Sequence, residues 1–194
     1  MIKIGLTGSI GMGKSETAKI FLSLGLPVYD ADEAVHRLYK KGNKGSAAVK
    51  LLFPNTITTE GDVNRVLLGE AVVGNSENLK KLESIIHPLV ADDRSYFFEE
   101  NINAKIVVLD IPLLFETGGD KFVDHIVVVS TSKNIQKKRV LARPNMTEEK
   151  FKKILSKQIP NEEKCKRADF VIDTSISIDD ARKQVKNIIV KLES

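Results

Sequence analysis

The sequence predicts an α/β fold, with a parallel sheet covered by helices on both faces. Three observations predict it. Short apolar runs rich in β-branched residues occupy 2–7, 106–110, 126–130 and 169–173, with a shorter one at 27–30. Such runs are strands buried on both sides. Between them, apolar residues return at helical spacing. The first run also leads straight into Gly8-Ser9-Ile10-Gly11-Met12-Gly13-Lys14-Ser15, after which a helical pattern starts.

The elements follow in order. After the glycine-rich stretch, Ala18, Phe21, Leu22 and Leu24 mark a helix that Gly25 closes as a C-terminal cap. The strand at 27–30 precedes a second helix carrying Ala34, Val35, Leu38 and Tyr39. Residues 42–104 are helical in pattern and read as an insertion between the second and third strands. Their apolar stripe, Leu79, Leu82, Ile85, Ile86, Leu89 and Val90, is interrupted by Pro88. The strands at 106–110 and 126–130 come next, then a helix bearing Arg139 and Arg143. Residues 144–166 are polar and hold one short helical pattern, Phe151, Ile154 and Leu155, between Pro144 and Pro160. That segment reads either as a flap over a site or as a plain surface helix. The strand at 169–173 and a helix with Ala181, Val185, Ile188, Ile189 and Leu192 complete the chain.

Composition bounds the function. The 194 residues are 42% hydrophobic and 29% charged, enough for a sizeable core. No apolar run approaches the roughly 20 residues of a membrane helix, and the N-terminal run lacks the features of a signal peptide. The single cysteine, Cys165, cannot form an internal disulfide, so a cytoplasmic location is expected. One cysteine and three histidines do not suggest a zinc site. The net charge of +4 admits nucleic acid as a partner, yet Lys and Glu mix along the same segments, as in Glu148-Glu149-Lys150-Phe151-Lys152-Lys153. The expectation is no nucleic-acid partner; a phosphate-rich small substrate accounts for the excess equally well.

The glycine-rich stretch fits the pattern G-x-x-x-x-G-K-[ST] in the strand–loop–helix setting that the pattern needs. Gly8, Gly11 and Gly13 let successive N–H groups turn inward towards an anion, and the helix N-terminus adds partial positive charge. Lys14 can reach the β- and γ-phosphates of a nucleotide, and Ser15 can hold Mg²⁺. The segment Asn-Lys-x-Asp that reads guanine is absent from the second half. ATP is the expected nucleotide.

Carboxylates and arginines extend the candidate site. Ligands of open α/β sheets bind beyond the carboxyl ends of strands, where Asp30-Ala31-Asp32 lies. Asp30 with Glu33 reads as a helix cap, which leaves Asp32 in the first turn as base or positioner for an acceptor hydroxyl; dipole complementation is its alternative. Asp110 ends a strand and suits a metal shell, or else a buried hydrogen bond near the loop. Arg139 and Arg143, four apart, share one helix face and suit phosphate oxygens or solvent. His87, beside an apolar stripe, is structural or functional.

In combination these motifs resemble the dephospho-coenzyme A kinases from end to end. The resemblance rests on Ile4-Gly5-Leu6-Thr7-Gly8-Ser9-Ile10-Gly11-Met12-Gly13-Lys14-Ser15, Asp30-Ala31-Asp32 with His36, Arg65 to Gly69 and Ile86-His87-Pro88. It continues through Asp110-Ile111-Pro112-Leu113-Leu114-Phe115-Glu116, Gln136 to Arg143 and Ala168-Asp169-Phe170-Val171-Ile172-Asp173. It implies a P-loop kinase fold on a five-stranded parallel sheet, with ATP and dephospho-coenzyme A as substrates and Mg²⁺ as cofactor. The implied reaction phosphorylates the ribose 3′-hydroxyl of dephospho-coenzyme A and gives coenzyme A and ADP. The implied core is 1–41, 102–139 and 167–194, with a helical coenzyme-binding insertion at 42–101 and a lid at 140–166. Asp32 takes the base position and acts with Lys14. Gly8, Gly11, Met12, Gly13, Lys14, Ser15, Glu16 and Arg143 meet the nucleotide. Thr7, Asp32, Arg65 and His87 meet the acceptor, and Ser15 and Asp110 meet the metal. A monomer or weak homo-oligomer without a membrane partner is expected. Four places depart from the family pattern: Glu16 replaces a Thr, Pro144 an acidic residue, Thr174-Ser175-Ile176 an Asn-x-Gly, and Val72-Val73-Gly74 a bulkier element. A nucleoside or nucleoside-monophosphate kinase and a non-catalytic nucleotide-binding protein are the rival readings.

Overall fold

The computed structural model describes residues 1–194. Its sheet has five strands in the order β2-β3-β1-β4-β5. These are β1 Ile2–Thr7, β2 Val28–Asp30, β3 Ile106–Asp110, β4 His125–Ser130 and β5 Phe170–Asp173. β1 lies parallel to β3 and β4, and β4 parallel to β5. Strand limits differ from expectation by a residue. Asp169, for example, falls just outside β5, where its carboxylate accepts from the Ile126 N–H at 2.7 Å.

Nine α-helices accompany the strands: α1 Lys14–Ser23, α2 Ala31–Leu38, α3 Lys44–Leu52, α4 Arg65–Val72, α5 Ser76–Glu100, α6 Lys133–Leu141, α7 Glu148–Leu155, α8 Asn161–Lys166 and α9 Ile178–Glu193. They divide between two compact units, residues 1–29 with 101–194, and residues 30–100. In the first, Ile4, Leu6, Val108, Val127 and Val129 of the sheet bury against Phe21 of α1 and Val185 of α9. β3, of sequence IVVLD, is buried at every position, as a strand covered on both faces is. Gly25, at φ +85, ends α1 as expected, and the Leu26 N–H returns to the Phe21 carbonyl at 3.2 Å.

The helical unit has its own core of Tyr39, Val49, Phe53, Val63, Leu68, Val72 and Ile86. It also takes in α2, which packs on α3 and α5 and whose Arg37 bonds Asp93 at 2.8 Å. Pro88 does not break α5, which runs unbroken for 25 residues. The missing N–H removes one helical bond, while packing on α2, α3 and α4 holds the axis on both sides of it. Residues 144–166 hold two helices where the periodicity showed one. The second, α8, has the sequence NEEKCK and presents no apolar stripe to read. No helix is long and apolar enough to cross a membrane.

Candidate active site

The loop from Gly8 to Lys14 leaves the carboxyl end of β1 and enters α1. Gly11 and Gly13 adopt φ +79 and +95, which residues with a Cβ rarely accept. A Cβ at Gly11 would sit 2.5 Å from Val140 Cγ2, and one at Gly13 2.9 Å from Thr174 Oγ1. The glycines therefore serve the loop's turn and its close approach to α6 and to the end of β5. Met12 is buried, and its sulfur accepts from the Thr131 N–H at 3.2 Å.

Lys14 donates to Asp110 Oδ1. Asp110 is 2% exposed at the end of β3, so β3 places a carboxylate beside the loop lysine. Ser15 is exposed at the start of α1, and Glu16 beside it bonds Lys19 at 2.7 Å. Thr7 is fully buried and donates to the Pro112 carbonyl at 3.0 Å.

Side chains distant in sequence hold the loop in shape. The Ile10 peptide is gripped from both sides: Gln136 Nε2 donates to its carbonyl at 2.8 Å, and its N–H donates to Gln158 Oε1 at 3.1 Å. The Ser9 N–H donates to Asn161 Oδ1 at 3.1 Å. Thr174 Oγ1 donates to the Met12 carbonyl at 2.8 Å, and Arg139 bonds Thr174 Oγ1 and the Thr174 carbonyl at 3.0 and 2.7 Å. Arg139 thus braces the loop through Thr174. The two arginines do not share a helix: α6 ends at Leu141, and Arg143 lies exposed beyond its cap. The turn after Leu141 leads into Pro144, which favours the departure from helical geometry.

Around α8, Lys164 is wholly buried. It pairs with Glu116 Oε1 at 2.8 Å, and its Nζ also lies 3.4 Å from the Pro112 carbonyl, the acceptor of Thr7. The Ile159 N–H reaches the same Glu116 oxygen at 2.9 Å. Gln158, Asn161 and Lys164 escaped the sequence reading because each pairs with a residue more than 40 positions away. The one available signal was Glu116 at the end of Pro112-Leu113-Leu114-Phe115-Glu116.

In the helical unit, Asp30 caps α2 by accepting from the Glu33 N–H at 2.9 Å, as expected. Asp32 is exposed in the first turn of α2. Arg65 opens α4 close to the buried Tyr39, whose phenol burial pushes up while the Arg65 charge draws it down. His87 is exposed on α5.

A family model for dephospho-CoA kinase matches residues 2–180. The chain belongs to the dephospho-CoA kinase family. A dephospho-CoA kinase of Mesorhizobium japonicum is 54% identical over 196 residues, spanning 99% of this chain and 97% of that one. Among solved structures, a Thermus thermophilus protein matches with a TM-score of 0.84 at 34% identity, over 98% of this chain and 97% of its own. Dephospho-CoA kinase from Campylobacter jejuni matches with a TM-score of 0.67 at 29% identity, over 98% and 96%. These structures share the whole length of the chain, helical unit included, so the fold is that of the P-loop kinases.

Proposed function

We propose that this chain transfers the γ-phosphoryl group of ATP to the ribose 3′-hydroxyl of dephospho-coenzyme A by means of Lys14, Asp32 and the loop amides. The observation that carries this reading is the strand–loop–helix with Lys14 on Asp110, in a chain that matches its family over nearly its full length. The acceptor oxygen attacks the γ-phosphorus, the bond from phosphorus to the β,γ-bridging oxygen breaks, and ADP leaves. Asp32 orients the hydroxyl and accepts its proton. Lys14 and the amides from Gly11 to Ser15 neutralise charge on the phosphates.

Ser15 and Asp110 present hard oxygen donors at the loop, and the fold contains no cluster of three or more His, Cys, Asp or Glu that could cage an ion. That donor set fits Mg²⁺, which arrives on substrate phosphates and takes few protein ligands. When bound, the ion screens the β- and γ-phosphate charge.

Residues 42–101 carry the acceptor, with Arg65 and His87 as the groups that meet it. Residues 140–166 act as the lid, whose Arg143 is exposed and free to engage ATP. Thr7, whose hydroxyl donates to the Pro112 carbonyl, meets the acceptor, and Glu16, tied to Lys19, borders the phosphates. A closed lid limits ATP hydrolysis by water.

Purified protein with Mg-ATP and dephospho-coenzyme A tests the reading. Coenzyme A should form, and Lys14→Ala should lower the rate at least about 100-fold. Asp32→Asn should lower kcat about 100-fold or more and leave the ATP KM within about threefold. A nucleoside-monophosphate panel is expected to give no product. Phosphorylation of that panel in preference to dephospho-coenzyme A would reverse the acceptor assignment.

A further inference from the structure

We propose that Gln158 is a catalytic residue whose side-chain amide donates a hydrogen bond to an oxygen of the transferring phosphoryl group. This rests on the phosphoryl-transfer reading above. Ile10 N–H is a donor, so the oxygen of Gln158 must face it, at 3.1 Å. The orientation of the amide is thereby decided by its partner, and Nε2 is the head that remains. Nε2 makes no hydrogen bond to the protein. The two heads of an amide stand about 2.2 Å apart by ordinary bond geometry. An unspent NH₂ group therefore lies beside the loop whose N–H groups cradle the phosphates.

Asn161 supplies the contrast. It caps the neighbouring Ser9 N–H in the same manner, but its own Nδ2 is used on Ser130 Oγ at 3.0 Å and lies 3.6 Å from Cys165 Sγ. Asn161 is a brace with both heads occupied, whereas Gln158 is a brace with a donor left over. One residue along, Ser9 is 3% exposed and its hydroxyl has no partner. Buried polar groups are nearly always bonded, so the Ser9 hydroxyl calls for an acceptor, and the half-buried Gln158 amide, bonded to the next residue of the loop, has a donor to spare beside it. Phosphoryl oxygens supply the acceptor.

The donor is also held still. Ile159, the next residue, is fixed through its N–H to Glu116, and Glu116 is fixed by the buried Lys164. A donor positioned before reaction stabilises transition-state charge without reorganisation. Gln158 is neutral, so it adds this without a counter-charge.

Capping of Ile10 alone is the competing role, and substitution separates the two. Gln158→Met keeps most of the reach and loses both heads. Gln158→Lys restores a donor but no acceptor for Ile10. Wild type and both variants are assayed as full chains with saturating Mg-ATP, reading coenzyme A formation, phosphate release from ATP without acceptor, and ADP affinity by calorimetry. The Met variant should lose about 10- to 100-fold in kcat and keep ADP affinity within about threefold. The Lys variant should return to within about fivefold of wild type. A Met variant within about threefold of wild-type kcat overturns the proposal. So does a Lys variant no faster than the Met variant, which leaves Gln158 as a cap. If wild type forms no coenzyme A, the acceptor assignment fails separately, and phosphate release then carries the same comparison. Wild type inactive by both readouts overturns both readings.

Discussion

Gly13 carries two demands in one position. Its φ of +95 lies in the left-handed region, and any Cβ there meets Thr174 Oγ1 at 2.9 Å. Left-handed geometry costs a residue with a Cβ about 1–2 kcal/mol, and the contact adds to that. Gly13→Ala should therefore lower stability by about 2 kcal/mol in chemical denaturation and weaken ADP binding at least about tenfold, since the loop amides shift with Thr174. The Thr174 hydroxyl donates to the Met12 carbonyl and accepts from Arg139, so Thr174 braces the loop at that point. Lys14 and Asp110 were legible as candidates because their residue types and strand-end positions name them. The bond between them was not, for 96 residues separate the two.

At the scale of elements, α8 is the shortest α-helix of the fold and the most firmly tethered end of 140–166. A fully buried lysine needs a partner, and Lys164 has one in Glu116, of which 14% remains exposed. Removing one member of a buried pair leaves the other charge desolvated, at about 3–5 kcal/mol. Lys164→Met should lower stability by about 3 kcal/mol, measured by urea denaturation. Adding Glu116→Leu should recover a good part of the loss, because replacing both charges with apolar groups is close to neutral. The far end of 140–166 is held differently, by the exposed pair Lys137–Glu148 at 2.6 Å, which solvent screens. The strands and the amphipathic helices α1 and α9 were readable from periodicity. α8 was not, because six polar residues carry no apolar period, and unbroken α5 was not, because only its packing carries it past Pro88.

For the whole molecule, nucleotide binding is linked to folding of the sheet unit. A ligand at 100 times its Kd adds about 2.7 kcal/mol to stability, which for a chain of this size raises Tm by roughly 5–10 °C. ADP should produce that shift in a thermal melt of the full chain, and Lys14→Ala should remove most of it. The sequence by itself determined the class of fold, the strand order along the chain, the phosphate loop and the family, since these depend on local period, turn chemistry and motifs within about a dozen residues. Only the tertiary structure decided that the helical unit takes in α2, that Arg139 braces Thr174 while Arg143 stands apart, and that Gln158 and Asn161 reach back to the loop. Those contacts join positions 35 to 152 residues apart, and a hydrogen bond between such positions leaves no period or motif in the chain.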